Sequence, residues 1–160
     1  MSGQDSSTTA AIRYLREQGA AFSLREYRYE DRGGTATAAR ELGLEERAVI
    51  KTLVFETEAR APFLVLMRGD REVSVKNLAR SIGVKSVTPC SPAAAERHTG
   101  YPVGGISPFG TRKKLPVYME RTLTDCPRVW INAGKRGRLA EMAPAEILRI
   151  LNPVLVDASV

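Results

Sequence analysis

Val49-Ile50-Lys51-Thr52-Leu53-Val54-Phe55 carries the strongest secondary-structure signal in the chain. β-branched and aromatic residues dominate this stretch, which is typical of a β-strand. A second apolar run at 63–67 predicts a partner strand, and the polar residues 68–71 predict the turn that follows it. We therefore expect a sheet built around residues 49–55 and 63–67.

Lys51 is the residue of this stretch whose chemistry stands out. Side chains alternate between the two faces of a strand, so Lys51 shares a face with Leu53 and Phe55, and both faces look buried. A buried ammonium is unfavourable unless a carboxylate, carbonyl groups or an anionic ligand compensates its lost hydration. Two interpretations remain open: a ligand-binding lysine, or a lysine on an edge strand whose ammonium reaches water.

Helices and further strands are predicted on both sides of this stretch. Capping residues and apolar spacing predict a first helix between a Thr8 or Thr9 cap and Gly19, and helices over 35–42, 77–82, 92–98 and 144–151. Strands are predicted over 22–29, 115–119 and 128–132, with an extended segment at 73–75. The elements mix without a βαβ rhythm, which favours an α+β or mixed-sheet architecture over a doubly wound one.

Length and composition predict one globular domain. The chain has 160 residues, of which 43% are hydrophobic and 26% charged, and we assign residues 1–160 to a single domain with a short flexible N-terminus at 1–8. Its apolar runs are far shorter than the roughly 18–20 residues that span a bilayer. The first residues lack the order of a secretory signal. We expect a cytoplasmic protein that does not contact membranes.

The positive charge is concentrated in one part of the chain. Lysine and arginine number 24 against 18 acidic residues, a formal net charge of +6. Between residues 97 and 138 there are nine basic and two acidic residues, and the basic ones cluster in Arg112-Lys113-Lys114 and Lys135-Arg136-Gly137-Arg138. Each cluster follows a glycine-containing stretch, so the two loops could converge on the phosphates of a nucleic acid. The alternative is a solvated surface without a specific partner.

Several common kinds of site are poorly supported. The single histidine, His98, has no catalytic-triad or metal-ligand spacing around it, and no phosphate-binding glycine motif follows a strand. Cys90 and Cys126 are too far apart for a CxxC pair and too few for a zinc site, so both are expected to be reduced. The loop Gly104-Gly105-Ile106-Ser107-Pro108 offers backbone N–H groups to a ligand, although such glycines also serve tight turns.

Four segments together resemble the YbaK family of free-standing aminoacyl-tRNA deacylases, which is related to the editing domain of prolyl-tRNA synthetase. The segments are 49–53, the specific run Thr99-Gly100-Tyr101-Pro102-Val103-Gly104-Gly105-Ile106-Ser107-Pro108-Phe109-Gly110, then 113–116, and 132–137. The resemblance extends from about Ala11 to Leu151, in the family's order. It implies a mixed β-barrel-like sheet flanked by helices, and removal of a wrongly attached amino acid from tRNA(Pro).

The resemblance also implies which residues form the site. Lys51 matches the functional lysine that binds the aminoacyl and 3′-terminal end of the substrate, and it is the expected catalytic residue. The expected substrate-binding residues are Tyr27, Thr52, Gly104, Gly105, Ile106, Ser107 and Pro108. The expected tRNA-binding residues are Arg112, Lys113, Lys114, Lys135 and Arg136. The implied partners are aminoacyl-tRNA and prolyl-tRNA synthetase, with no DNA, metal or cofactor.

One departure from the family bears on the amino acid removed. Many cysteine-specific members have Lys-Arg-Gly-Leu-Asp where this chain has Lys135-Arg136-Gly137-Arg138-Leu139, so Leu139 replaces a pocket aspartate. In cysteine-specific members the substrate's own thiol attacks the ester and releases a thiolactone; in alanine-removing relatives a water attacks. Three hypotheses therefore stay open: a deacylase of the Cys-tRNA(Pro)/Cys-tRNA(Cys) type, which we favour, a deacylase of Ala-tRNA(Pro) or another small aminoacyl-tRNA, and a non-catalytic tRNA- or synthetase-binding module.

Overall fold

The computed structural model describes residues 8–160, so the predicted flexible N-terminus at 1–8 lies outside the described residues except for Thr8. In chain order the described elements are α1 (Ala10–Glu17), β1 (Ser23–Glu26), α2 (Gly34–Leu42), a 3₁₀ turn (Glu46–Ala48), β2 (Ile50–Thr57), β3 (Pro62–Arg68), α3 (Val75–Ile82), β4 (Val87–Pro89), α4 (Pro92–Thr99), β5 (Val117–Glu120), a second 3₁₀ turn (Arg121–Asp125), β6 (Val129–Lys135), β7 (Arg138–Met142), α5 (Pro144–Leu151) and β8 (Val154–Val156).

The strands form two sheets. The larger has the order β4-β2-β3-β5-β8, and the smaller has the order β1-β7-β6. β2 pairs antiparallel with β3, whereas β5 is parallel to both β3 and β8, so the larger sheet is mixed. Among the described residues, an isolated parallel bridge between Val49 and Trp130 joins the two sheets. The predicted α+β class with a mixed sheet and flanking helices is confirmed, but within residues 8–160 the two sheets do not close into a barrel.

β2 and β3 both bury residues on their two faces, which the sequence analysis predicts for the stretch 49–55. Ile50, Val54 and Leu66 face a core that also contains residues of the smaller sheet, α1 and α5. Phe55 and Met67 face a second core under α3. Burying one such side chain contributes about 1.5–3 kcal/mol, so this strand pair contributes to the stability of both cores.

Local signals predict some boundaries well and others poorly. The helix at 144–151 is found as predicted, and α4 begins after Ser91, whose hydroxyl accepts a hydrogen bond from the Ala94 N–H. The predicted strand 22–29 is shortened to Ser23–Glu26 because its pairing with β7 stops at Arg138. The predicted extended segment 73–75 is wrong at Val75, which opens α3 because Ser74 caps that helix.

Other differences lie in short elements. β5 begins at Val117 rather than Leu115, and β6 continues to Lys135, beyond the predicted end at 132. Sequence patterning does not predict β4 and β8, since each has only three residues and depends on a neighbouring strand for its hydrogen bonds. None of the helices within residues 8–160 is long and apolar enough to cross a membrane.

Residues 158–160 hold the segment that follows β3. The Val160 N–H donates to the Glu72 carbonyl at 2.9 Å, and the Ser74 N–H donates to the Ala158 carbonyl at 2.7 Å. Val73 and Ser159 form an antiparallel bridge between these two contacts. The segment 71–74 is therefore fixed by residues that lie far from it in sequence.

Candidate active site

A cavity of about 770 Å³ runs along one edge of β2. Its walls are formed by β2, α2, α4, the loop at 103–106 and residues of the smaller sheet. β4 pairs only with Phe55–Thr57, and one further hydrogen bond joins the Cys90 N–H to the Val54 carbonyl. Within the described chain, the part of β2 before Val54 therefore faces the cavity rather than β4.

Lys51 lies on the cavity wall with its ammonium held by the segment after β3. Its Nζ donates to the Arg71 carbonyl oxygen at 2.8 Å and to Glu72 Oε2 at 2.7 Å. The Lys51 side chain is 22% exposed, whereas Glu72 is 81% exposed. An ammonium has three N–H donors, so with these two acceptors among residues 8–160 one donor remains for a ligand. β2 is an inner strand of the larger sheet, but among the described residues the part that carries Lys51 has no paired strand on the cavity side. The Glu72 carboxylate and the Arg71 carbonyl compensate the ammonium for its lost hydration.

Thr52 offers polar groups to the same cavity. Its Oγ1 is buried and has no hydrogen-bond partner among residues 8–160. The Val54 carbonyl points to the side of β2 on which β4 lies. Residues two apart in an antiparallel strand direct their backbone groups to the same side, so the N–H and C=O of Thr52 also point there. At Thr52 this side of β2 faces the cavity. A buried hydroxyl without a partner is unfavourable by about 1–3 kcal/mol, and a ligand in the cavity would remove that penalty.

The glycine loop at 103–106 packs closely against its neighbours. Gly104 has φ +91°, and a Cβ there would lie 2.6 Å from Tyr29 Oη. A Cβ at Gly105 would lie 3.0 Å from the backbone nitrogen of Arg136. Any larger residue would push the loop away from Tyr29 and from the turn between β6 and β7. The glycines thus set the position of one cavity wall.

Two side chains of the β6–β7 hairpin hold this loop. Arg136 Nε donates to the Val103 carbonyl at 2.9 Å, and Asn132 Nδ2 donates to the Gly104 carbonyl at 3.2 Å. The Arg136 guanidinium also lies 5.5 Å from the centre of the Tyr29 ring, within the range of a cation–π contact. We call Asn132 and Arg136 the loop clamp.

The predicted substrate-binding residues divide into two groups. Tyr27, Thr52, Gly104 and Ile106 line the cavity, whereas Gly105, Ser107 and Pro108 do not. Ser107 is fully buried, and its hydroxyl accepts a hydrogen bond from the Phe109 N–H at 3.2 Å. Its side chain therefore shapes the loop from behind.

An aromatic and apolar wall completes the cavity opposite the open edge of the strand. Burial, and secondarily the nearby Tyr29, raises the pKa of Tyr27, so its phenol is neutral at pH 7. Leu139 is 3% exposed and packs with Ala38 and Val49. This part of the wall offers hydrocarbon contacts.

Neither Cys90 nor His98 is poised for nucleophilic chemistry. Burial, followed by the hydrogen bond to Glu56, raises the pKa of the cavity-lining Cys90 to about 11, so its sulfur stays protonated at neutral pH. Burial, and then the charge of Lys113, lowers the pKa of His98, whose Nδ1 accepts a hydrogen bond from that lysine at 3.1 Å. No cluster of possible metal ligands occurs in the described part of the chain.

The predicted tRNA-binding residues lie outside the cavity lining. Arg112 and Lys114 are exposed beside the end of α4, with no side-chain partner among the residues that the structure describes. Lys135 is exposed at the end of β6, while Arg136 belongs to the loop clamp. The basic residues of the two predicted clusters therefore differ: some are exposed without a side-chain partner within residues 8–160, whereas Arg136 holds the glycine loop.

Sequence reasoning misses Glu72, Tyr29 and Asn132. Glu72 follows a predicted turn and meets a lysine 21 residues away, a contact that no local pattern indicates. Tyr29 stands out in the sequence only as part of the predicted strand 22–29. Asn132 has a usable signal, because asparagine followed by a glycine two residues on often accepts a hydrogen bond from that backbone N–H. Here its Oδ1 accepts from the Gly134 N–H at 2.7 Å, at an irregularity within β6.

Comparisons with known proteins connect this geometry to a family. The family model "Aminoacyl-tRNA editing domain" matches residues 30–150. The chain is 32% identical, over 145 residues, to "Putative Cys-tRNA(Pro)/Cys-tRNA(Cys) deacylase EbsC" of Enterococcus faecalis, covering 90% of this chain and 88% of that protein.

Two further matches concern proline-specific translation. A proline–tRNA ligase of Limosilactobacillus fermentum is 29% identical over 62% of this chain but only 18% of the ligase. The crystal structure of "a putative trans-editing enzyme for prolyl tRNA synthetase" superposes with a TM-score of 0.84 at 25% identity, covering 96% of this chain and 98% of that one.

Proposed function

The chain belongs to the aminoacyl-tRNA editing domain family, as its resemblance predicts, and we propose that it is a trans-editing deacylase that frees tRNA(Pro) of a wrongly attached amino acid, with Cys-tRNA(Pro) the favoured substrate. The observation that carries this proposal is Lys51, whose third N–H donor is available at the wall of a cavity of about 770 Å³. The similarity to EbsC supports the choice of cysteine.

In this proposal, Lys51 donates a hydrogen bond to the aminoacyl end of the tRNA. A positive charge beside the ester stabilises the negative charge that develops on the carbonyl oxygen during attack. Tyr27, Thr52, Gly104 and Ile106 contact the aminoacyl group and the terminal nucleoside. Gly105, Ser107 and Pro108 hold the glycine loop in place behind them.

The nucleophile is supplied by the substrate. The sulfur of the attached cysteine attacks the ester carbonyl carbon, the new C–S bond closes a thiolactone, and the C–O bond to the ribose breaks. The departing ribose oxygen takes up a proton. A free thiol with a pKa near 8.5 is a few per cent thiolate at pH 7, and fixing it beside the ester raises its effective concentration by orders of magnitude. The raised pKa of Cys90 supports this assignment because it keeps that thiol protonated.

A second candidate function is favoured by one observation. The buried wall of Leu139, Ala38 and Val49 suits a small apolar side chain, such as that of Ala-tRNA(Pro). In that reaction a water would attack the ester. A third candidate, a binding module without turnover, predicts tRNA affinity without deacylation.

Deacylation of a panel of aminoacyl-tRNAs tests these candidates. We expect the purified protein to deacylate Cys-tRNA(Pro) fastest and Ser-tRNA(Pro) poorly, because a hydroxyl is scarcely ionised at neutral pH. Ala-tRNA(Pro) as the best substrate would support the second candidate. Binding without any deacylation would support the third and overturn the proposal.

The same assay tests the role of Lys51. Lys51→Ala removes a charge-assisted contact worth roughly 1.5–3 kcal/mol, so deacylation should fall about ten- to a hundredfold or more. Lys76→Ala removes an exposed lysine on α3 and is the matched control. Turnover close to wild type in folded Lys51→Ala would remove Lys51 from the site.

The two cysteines provide a test of the nucleophile. Cys90→Ser and Cys126→Ser, separately and together, should leave deacylation of Cys-tRNA(Pro) intact. A covalent acyl adduct on either cysteine, detected by mass spectrometry, would show that the enzyme supplies the nucleophile.

The partners follow from the same proposal. The exposed residues Arg112, Lys114 and Lys135 suit contact with tRNA phosphates, together with Lys113 and Arg136. Contacts with phosphates fix the position of the tRNA on the protein but do not distinguish one nucleotide sequence from another. We therefore propose that selection of tRNA(Pro) requires base contacts or association with prolyl-tRNA synthetase, in the cytoplasm where translation takes place.

A further inference from the structure

The Lys51–Glu72 pair presents a donor and an acceptor side by side at the cavity. Lys51 Nζ and Glu72 Oε2 are 2.7 Å apart, and both residues line the cavity wall. The Glu72 carboxylate is 81% exposed, and within the described residues its Oε1 has no partner. The ammonium likewise has an N–H to offer. An incoming ligand therefore meets one positive and one negative group together.

An aminoacyl ester has the complementary arrangement. Its carbonyl oxygen accepts a hydrogen bond, and its α-ammonium donates one, from adjacent carbon atoms of the same residue. With the carbonyl oxygen against Lys51, the α-ammonium is brought toward the neighbouring carboxylate. Hydrogen bonds between ionised groups are about twice as strong as those between neutral groups.

We propose that Glu72 binds the free α-ammonium of the aminoacyl group and so restricts the enzyme to esters of unblocked amino acids. This inference rests on the proposed deacylase function. An N-acylated end, as in a peptidyl-tRNA, has a neutral amide in place of the ammonium. Its binding would leave the carboxylate facing an uncharged, bulkier group, and sites built to bond a charged donor reject analogues that lack it.

The position of Glu72 is set independently of any ligand. Its backbone carbonyl accepts the Val160 N–H at 2.9 Å, and the adjacent Arg71 carbonyl accepts from Lys51 at 2.8 Å. Lys51 thus keeps one backbone partner whatever the carboxylate does. This leaves the Glu72 side chain free to exchange part of its contact with Lys51 for a contact with substrate.

The test compares free and N-acetylated substrate on matched variants. Wild type and Glu72→Gln are assayed with Cys-tRNA(Pro) and with N-acetyl-Cys-tRNA(Pro), after subtraction of spontaneous hydrolysis. If another aminoacyl-tRNA proves to be the best substrate, it and its N-acetyl form are used. Asp31→Asn serves as the charge control, because it removes a different carboxylate of the same cavity wall that has no hydrogen bond to Lys51.

We expect wild type to deacylate the substrate with a free amine about ten- to a hundredfold faster than its N-acetyl form, the factor that corresponds to one charge-assisted hydrogen bond. Glu72→Gln should lose most of this preference by slowing only on the free-amine substrate, while Asp31→Asn keeps it. Glu72 is exposed, so the Gln variant should unfold at the wild-type temperature, which a thermal melt verifies.

Two outcomes would overturn the inference while the deacylase function stands. The first is that wild type deacylates both substrates at equal rates. The second is that Glu72→Gln lowers the rate on both substrates by the same factor, which would mean that Glu72 acts only by positioning Lys51. If wild type deacylates no aminoacyl-tRNA at all, the proposed function itself fails and the inference fails with it.

Discussion

The cluster Arg112-Lys113-Lys114 and the cluster Lys135-Arg136-Gly137-Arg138 look alike in sequence, yet the protein uses them differently. In the first, Arg112 and Lys114 extend into solvent and Lys113 alone has a side-chain partner, His98, among the residues that the structure describes. In the second, Arg136 holds the glycine loop and Arg138 is 5% exposed, paired with Glu26 at 2.6 Å. The first cluster is mainly surface charge, whereas in the second Arg136 and Arg138 make structural contacts and Lys135 remains exposed.

The difference shows that a run of basic residues does not by itself indicate free charge. Strand alternation explains it in part: Arg138 is the first residue of β7 and lies opposite Glu26 of β1, so its side chain is placed by sheet register. Residues 112–114 lie in a loop, so no pairing with a neighbouring strand fixes their side chains. Substitutions in the two clusters should therefore change different measured quantities.

Arg138→Ala should give the largest change in stability. It removes a buried side chain and its ion pair, but the partner carboxylate of Glu26 is 67% exposed and can be hydrated. We expect the free energy of unfolding to fall by about 1–3 kcal/mol. Urea denaturation measures this, with Arg112→Ala as the exposed control at about 0.5 kcal/mol or less. Equal effects of the two substitutions would show that the two clusters do not differ in this way.

Arg136→Ala should give the largest change in activity among the cluster residues. Without its contacts to the Val103 carbonyl and the Tyr29 ring, one wall of the cavity loosens, so we expect the maximal rate to fall about tenfold or more. The neighbouring Lys135→Ala is the matched control: it should weaken tRNA binding slightly and leave the maximal rate unchanged. A change confined to tRNA affinity in both variants would mean that Arg136 also acts as surface charge.

Replacing Arg112 and Lys114 together by alanine should act on tRNA affinity. Removing one lysine or arginine that binds a phosphate reduces the slope of log affinity against log salt by roughly 0.7–0.9. The maximal rate at saturating tRNA should stay near wild type because neither residue lines the cavity. Binding measured across a salt series distinguishes these outcomes, and an unchanged slope would assign the tRNA path to another face.

The smallest expected effect is at Lys113, the paired member of the first cluster. Its charge is one of the causes that lower the pKa of His98, although burial is the larger. Lys113→Ala should therefore raise the pKa of His98 part of the way toward its ordinary value, and the histidine should take up its proton at a higher pH. An NMR titration of this single histidine measures the shift; a fall in its pKa would contradict the contact between the two side chains.

Much of the fold could be predicted because its signals are local. Runs of apolar, β-branched and aromatic residues indicate β2 and β3, and a serine followed by proline indicates the start of α4. The glycine loop and Lys51 also stand out in the sequence by their residue types alone. What could not be predicted depends on contacts between distant segments. Arg138 meets Glu26 across 112 residues, and nothing near either residue distinguishes this pair from two solvated charges.

The contacts between residues 158–160 and the segment 71–74 have a consequence for synthesis. β2 leaves the ribosome well before residues 158–160 are made, so Lys51 has emerged while the support of the Glu72 backbone is still missing. A nascent chain is itself esterified to a tRNA throughout that time. The order of translation therefore delays completion of this part of the cavity wall until residues 158–160 have left the ribosome.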